Sequence, residues 1–187
     1  IISKESGVLV ASPSLGAAEF HQGGANIFNL RGTDETASRQ SAKYAIAQGF
    51  RKAAVFSSQQ PWDAAQARFF EDEFSKLGGE LVAKEEPLPI ASDLGAEALR
   101  MVKARPQMVF FATMLVMARS ARELQRYGYS GSKMASLINN SILGEARGAL
   151  EGAVFFTFQK PPAEFRARFR ACFGIDALAE GGFGYDT

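Results

Sequence analysis

The chain has 187 residues, is 47% hydrophobic, and carries 21 Lys and Arg against 20 Asp and Glu for a formal net charge of +1. That is enough apolar matter for a sizeable core, as one large domain or one domain with extra pieces. The even charge balance argues against a nucleic-acid surface, which needs clustered Lys and Arg. One cysteine, Cys172, leaves no intrachain disulfide and no Cys-based metal site; one histidine, His21, removes Ser-His-Asp, Cys-His and multi-His chemistry from this chain. Sixteen Phe against one Trp and four Tyr suggest interior aromatics. No run approaches the ~18 apolar residues of a membrane-spanning helix. No secretory leader is visible. Opening at Ile1-Ile2 without Met, the chain reads as a piece of something longer from which a leader could have been removed.

In chain order, Gly7 to Ala11 reads as a buried strand, followed by the loop Ser12-Pro13-Ser14-Leu15-Gly16. Residues 17–26 are irregular and 27–31 extended. Asp34 and Glu35 favour a helix start, and that helix runs to about Gln48 with Ala42, Ala45 and Ile46 inward. Residues 53–57 form a strand. A helix over 62–77 then carries Phe70, Phe74 and Leu77 on one stripe and stops at Gly78-Gly79. Residues 80–88 are extended. Ser92 is expected to cap a helix reaching Ala104, with Leu94, Ala98 and Met101 on one face, and Arg105-Pro106 breaks it.

Met108 to Ala112 is a near-continuous apolar run, as in a strand covered on both faces. A helix over 115–127 shows Met117, Ala121 and Leu124 inward. Then come a strand over 134–138, a short helix around 143–149 and a strand over 153–158. The last helix is marked by Phe165, Phe169, Cys172 and Phe173, with Cys172 read as buried. Strands and helices alternate with short connections. That predicts an α/β fold, a parallel sheet with helices on both faces.

In such sheets ligands bind beyond the carboxyl ends of the strands. The candidate ligand residues therefore lie in the loop Ser57 to Trp62, with Gln59, and in Thr113-Met114 and Asn139-Asn140-Ser141. Ser12 and Ser14 join them if the first strand lies nearby. These loops are polar, small and uncharged, with Trp62 at a helix start beside them; such a lining suits a small molecule held by hydrogen bonds and stacking. Ser and Asn are also ordinary loop and cap residues, and Arg31 suits either an anionic ligand or a surface ion pair. Asp63, Glu71, Asp72 and Glu73 read as the solvated face of their helix. The sequence has no Walker A loop, no GxGxxG, no GxSxG and no carboxylate pair placed for acid–base work. No catalytic residue, cofactor or metal is expected.

From Val8 to Asp186 the order and spacing of several short motifs resemble the central part of a type I periplasmic solute-binding protein. More narrowly, they resemble the Leu/Ile/Val-binding receptors of branched-chain amino acid ABC transporters. Trp62-Asp63-Ala64-Ala65 stands where that family has an aromatic-Gly helix start. Leu77-Gly78-Gly79-Glu80-Leu81-Val82 resembles its helix-to-strand join, and Pro106-Gln107-Met108-Val109-Phe110 a strand start. Leu150-Glu151-Gly152-Ala153-Val154 resembles a later strand, and Gly184-Tyr185-Asp186 the helix returning to lobe one. Val10 to Ser14 resembles the last strand and ligand loop of lobe one, and Phe28-Asn29-Leu30-Arg31 the first crossover.

The resemblance implies a periplasmic binding protein-like fold. Residues 1–27 would end lobe one, 28–181 would form lobe two, and 182–187 would begin the return, with further parts of the family's chain before Ile1 and after Thr187. It implies a periplasmic or extracytoplasmic protein without enzymatic activity that captures a small solute between two closing lobes for a membrane ABC permease. Ser12 and Ser14 match the lobe-one ligand loop and Trp62 the cleft-lining aromatic; Gln59, Thr113, Met114, Asn139 and Asn140 complete the set. Two positions depart from the amino acid binders. Gly16 falls where they have a hydroxyl residue, and Asn139 where they have an acidic residue for the ligand's amino group. A buried ammonium wants a carboxylate partner, so a carboxylate-type compound fits at least as well as an amino acid. The exposed cleft-facing surface is expected to drive self-association of an isolated lobe. A ligand-sensing regulatory domain of a receptor and an enzyme on a flavodoxin-like sheet are the alternatives.

Overall fold

Ala53-Ala54-Val55-Phe56 and Met108-Val109-Phe110-Phe111 are apolar at every position and wholly buried. Such runs suit strands covered on both faces. In the computed structural model they are neighbours inside a parallel sheet. The structure describes residues 5–12, 15–17, 20, 23–29, 32–157 and 161–177. In chain order the strands are β1 (Val10–Ser12), β2 (Ile27–Asn29), β3 (Lys52–Phe56), β4 (Glu80–Glu85), β5 (Met108–Phe111), β6 (Ser132–Ala135) and β7 (Val154–Phe155). The helices are α1 (Asp34–Ala47), α2 (Pro61–Lys76), α3 (Gly95–Lys103), α4 (Met117–Arg126), α5 (Asn140–Ala146) and α6 (Ala163–Phe173). The chain divides into two compact units, Glu35–Phe156 and the combination of Ile1–Asp34 with Thr157–Thr187.

The unit Glu35–Phe156 is a five-stranded sheet in the order β4-β3-β5-β6-β7, with every pairing parallel. Successive side chains of a strand point to opposite faces, and the central strands feed two separate layers accordingly. Ala53, Val55, Met108 and Phe110 pack with Ala42 and Ala45 of α1 and with Ala67, Phe70 and Phe74 of α2. On the other face, Ala54, Phe56, Val109 and Phe111 pack with Leu94, Ala98 and Met101, with Met117, Ala121 and Leu124, and with Ile142 and Ala146. Phe70 is the centre of the first layer. Its ring lies 4.2 Å from that of Phe110 at 12° and 5.4 Å from that of Phe74 at 14°. Gly78 takes φ 84° to end α2, and a Cβ at Gly79 would collide with the Phe74 ring. The Gly-Gly stop is therefore required by both conformation and packing.

Several expectations are corrected. Leu77, expected on the inward stripe, is 40% exposed at the C-cap of α2. The helix after β4 begins at Gly95 rather than at a Ser92 cap, because the Asp93 side chain accepts from the Gly95 amide at 2.9 Å, an Asx-type turn. The strand β6 starts at Ser132, two residues before the expected Met134, since Ser132 already pairs with Met108. The helix α5 starts at Asn140 rather than near residue 143. β7 is an exposed edge strand of two residues.

In the other unit, β1 pairs in parallel with β2, matching Val10 to Ile27. β1 is half-exposed rather than buried, and Leu9 before it is 67% exposed. No residue of α6 is buried and Cys172 is exposed, against the buried role expected for it. Its stripe is formed as the spacing predicts, with Phe165, Phe169 and Phe173 rings 5.9 and 4.7 Å apart in sequence. Periodicity identifies an apolar face but not what covers it. The residues Ser14, Arg31 and Gly184-Tyr185-Asp186 lie outside the described residues.

Candidate functional site

The strand order places a reversal between β3 and β5. From β3 the chain passes through α2 on one face to β4, and from β5 through α4 on the opposite face to β6. The loops leaving the carboxyl ends of β3 and β5 therefore part, and the crevice between them is where an open parallel sheet takes a ligand. Phe56 and Phe111 end the two strands opposite each other. Beyond them stand Ser57, Ser58 and Thr113, all fully buried. The Ser57 and Gln59 amides donate to the Glu85 and Pro87 carbonyls at 2.9 and 3.1 Å, extending the pairing with the chain after β4.

A buried carboxyl stands beside the first of these loops. Asp63, in the first turn of α2, is 1% exposed. The Ser58 hydroxyl donates to its Oδ2 at 2.6 Å. The Ser58 hydroxyl oxygen also accepts from the Gln60 amide at 3.3 Å, and in the loop after β5 the Thr113 hydroxyl oxygen accepts from the Leu115 amide at 3.1 Å. Burial pushes the Asp63 carboxyl above its ordinary pKa, and the Ser58 and Thr113 hydroxyls draw it partly back. An acid at the start of a helix is also favoured by the helix dipole.

Other polar side chains are buried along the same edge. Ser38 lies on the inward face of α1 with Ala42 and Ala45, Gln66 on that of α2 with Ala67 and Phe70, and Ser136 directly after β6. Ser38 Oγ, Gln66 Nε2 and Ser136 Oγ have no hydrogen-bond partner within the described structure. Sequence reasoning placed Asp63 and Glu73 on a solvated face, and both are buried. The signal was available: stepping back four and seven residues from Phe70 lands on Gln66 and Asp63, in register with the stripe. The Glu73 carboxylate bridges α2 to α1, 3.3 Å from Arg39 and 3.6 Å from Lys43. Its role is structural, away from the crevice.

The expected ligand residues of this unit are distributed as follows. Trp62 is half-buried at the start of α2, next to Asp63. Gln59 is exposed and its side-chain amide donates to the Glu86 carbonyl at 3.1 Å. Thr113 is buried, its hydroxyl oxygen accepting from the Leu115 amide at 3.1 Å. Met114 is half-buried against the core. Asn139 and Asn140 are exposed after β6, and Asn139 caps α5, its Oδ1 accepting from the Ile142 amide at 2.9 Å. Gln59, Trp62, Thr113 and Met114 thus gather about the β3/β5 reversal, with Asn139 and Asn140 one strand further along. In the other unit, Ser12 Oγ accepts from the Leu15 amide at 3.0 Å. A cavity of about 140 Å³ lies at the opposite, amino-end edge of the sheet, between Tyr44, Phe50, Lys133 and Val154. Among the described residues no group of His, Cys, Asp and Glu could hold a metal ion, and no helix is long and apolar enough to cross a membrane.

A family model described as periplasmic binding protein matches residues 2–187. No curated protein matches by sequence. Among solved structures, a leucine binding protein from Thermotoga maritima is similar at 20% identity and a TM-score of 0.87, over 99% of this chain and 56% of that one. An ABC transporter substrate-binding protein from Desulfitobacterium hafniense, in complex with Leu, is similar at 20% identity and a TM-score of 0.77, with the same coverage. A solute binding protein of an ABC transporter from R. palustris, in complex with benzoate, is similar at 16% identity and a TM-score of 0.82, over 99% of this chain and 54% of that one. The chain spans just over half the length of these structures, and at such identities the likeness is one of fold.

Proposed function

The chain belongs to the periplasmic binding protein family, and on that footing we propose that it binds a small polar solute at the carboxyl edge of its five-stranded sheet. It acts as a receptor without turnover, outside the cytoplasm, and hands the solute to an ABC permease in the membrane. The observation that carries this reading is the β3/β5 reversal, which gathers Gln59, Trp62, Thr113 and Met114 at one crevice. Asn139 and Asn140 approach from the next loop.

We further propose a carboxylate-type solute in preference to an amino acid. The loops after β3, β5 and β6, residues 57–60, 112–116 and 136–139, contain no Asp or Glu. Asp63, the acid that follows the first of them in α2, is buried and already hydrogen-bonded. A solute ammonium desolvated here would lack the carboxylate that makes its burial tolerable. Benzoate and leucine, held by the similar structures from R. palustris and D. hafniense, are the two natural probes of that choice.

A thermal-shift screen of the intact protein against amino acids, aliphatic and aromatic carboxylates, amides and polyols tests both levels. Binding to the native state raises the melting temperature by mass action. A shift with carboxylates alone supports the full reading. A shift with leucine or valine removes the carboxylate preference but keeps the receptor. A folded protein that responds to none of these classes removes the receptor reading.

A further inference from the structure

We propose that Arg119 is a positioning residue for an apolar lip of this crevice. Its guanidinium holds the loop after β4 against the loop after β5, and so brings Leu88, Ile90 and Leu115 together where the hydrocarbon body of a carboxylate-type solute would rest. This rests on the reading of the crevice as the binding site, and it adds an apolar body to the solute's chemistry.

The loop after β4 runs from the edge strand to α3, which packs on the same face of the sheet as α4. It is tied first to the loop after β3. The Gln59 amide donates to the Pro87 carbonyl and the Gln59 side-chain amide to the Glu86 carbonyl, both at 3.1 Å. The loop then turns on itself, the Ala91 amide donating to the Leu88 carbonyl at 2.9 Å. Arg119, half-buried in the first turn of α4, makes the next tie. Its Nη2 donates to the Pro89 carbonyl at 3.3 Å and to the Leu115 carbonyl at 2.9 Å. Carbonyls of two loops therefore meet at one nitrogen, and three loops at the carboxyl edge are joined in succession. Leu88 and Ile90 flank Pro89, and Leu88, Ile90 and Leu115 are 54, 85 and 51% exposed. Exposed apolar side chains scattered singly are ordinary, but a group of them gathered together marks a binding surface. This group stands at the edge where an open parallel sheet takes its ligand. Met114, next to Leu115, packs against the core, so the lip continues the apolar layer outward.

The test uses the intact protein with Arg119→Met, Arg119→Lys and Ile90→Ser. Arg119→Met keeps the apolar stem and removes both hydrogen bonds. Amide hydrogen exchange at Leu88, Ile90, Ala91 and Leu115 should then quicken, while β3 and β5 exchange as in the wild type. Arg119→Lys keeps a cationic donor on a shorter reach, and should give a smaller change confined to the same loops. Binding of benzoate or L-leucine, whichever the wild type takes, should weaken about tenfold in Arg119→Met, in line with the loss of hydrogen bonds from a charged donor. Ile90→Ser changes a side chain that the fold leaves in water. It should leave the melting temperature unchanged and still weaken binding severalfold through lost apolar contact. Unchanged exchange in both loops of Arg119→Met, or a rise spread over the whole sheet, would overturn the positioning role and leave Arg119 a stability residue at most. Full affinity in Ile90→Ser would overturn the lip. If Arg119→Met does not fold, unchanged or uniformly raised exchange in Arg119→Lys overturns the positioning role equally. If the wild type binds neither probe, the failure belongs to the receptor reading, while the exchange measurements still decide whether Arg119 joins the loops.

Discussion

Asn139 offers the sharpest separation of structural and functional roles. Its Oδ1 accepts from the Ile142 amide at 2.9 Å and so caps α5, a helix of seven residues that buries Ile142 and Ala146. Removing a capping side chain costs about 1 kcal/mol. In a protein of this size that lowers the melting temperature by roughly 2–4 °C. Asn139→Ala should therefore melt a few degrees below wild type, and Asn139→Ser, which keeps the cap, should not. Asn139→Asp keeps the capping oxygen and adds a charge favoured at a helix start by about 0.3–1 kcal/mol, so its melting temperature should equal or exceed wild type.

The same Asp would restore the acid that amino acid binders are expected to carry here. Because position 139 is exposed, the gain is that of a solvated ion pair, about 0.2–1 kcal/mol, or up to about fivefold in affinity. Thermal melts of the four proteins, followed by calorimetric titration of wild type and Asn139→Asp with leucine and benzoate, make the test. Equal melting temperatures for wild type and Asn139→Ala would refute the cap. Benzoate binding that strengthens in Asn139→Asp would refute the placement of the solute near this residue.

Three further outcomes are expected. Phe70→Ala removes a fully buried ring stacked on Phe110 and Phe74 and should destabilise by about 3–5 kcal/mol in denaturant unfolding; a loss below about 1 kcal/mol would mean the layer is not packed as described. Glu73→Gln weakens the bridge to Arg39 and Lys43. It should cost under about 1 kcal/mol, less in high salt since both cationic partners are solvated, and a salt-independent loss would assign Glu73 another role. For Asp63, burial holds the folded carboxyl above its ordinary pKa of 3.8, so the native state keeps a proton that the unfolded chain has lost. Stability relative to Asp63→Asn should be highest below that ordinary value, decline as pH rises to the raised one and stay level above it; parallel melting curves for the two proteins across that window would contradict the assignment.

The alternation of strand and helix, the buried pair β3 and β5, and the inward stripes of α1 to α4 are legible in the sequence. Each is imposed by local periodicity against a nearby apolar layer, so spacing alone reports it. The loops of the crevice follow too, once the sheet is known to be parallel, because every loop after a strand must lie at one edge. What the sequence left open depends on partners distant along the chain. Asp63 reads as one more helix-surface acid, and the fold buries it to 1% exposure. Cys172 has the spacing of a core residue and is exposed. Asn139 looks like a ligand residue and spends one oxygen on a cap. A sequence specifies which face of an element is apolar and which residues could hydrogen-bond; only the tertiary structure decides what covers that face and which donor reaches which acceptor, since those contacts are set by the crossing of the chain and not by its spacing.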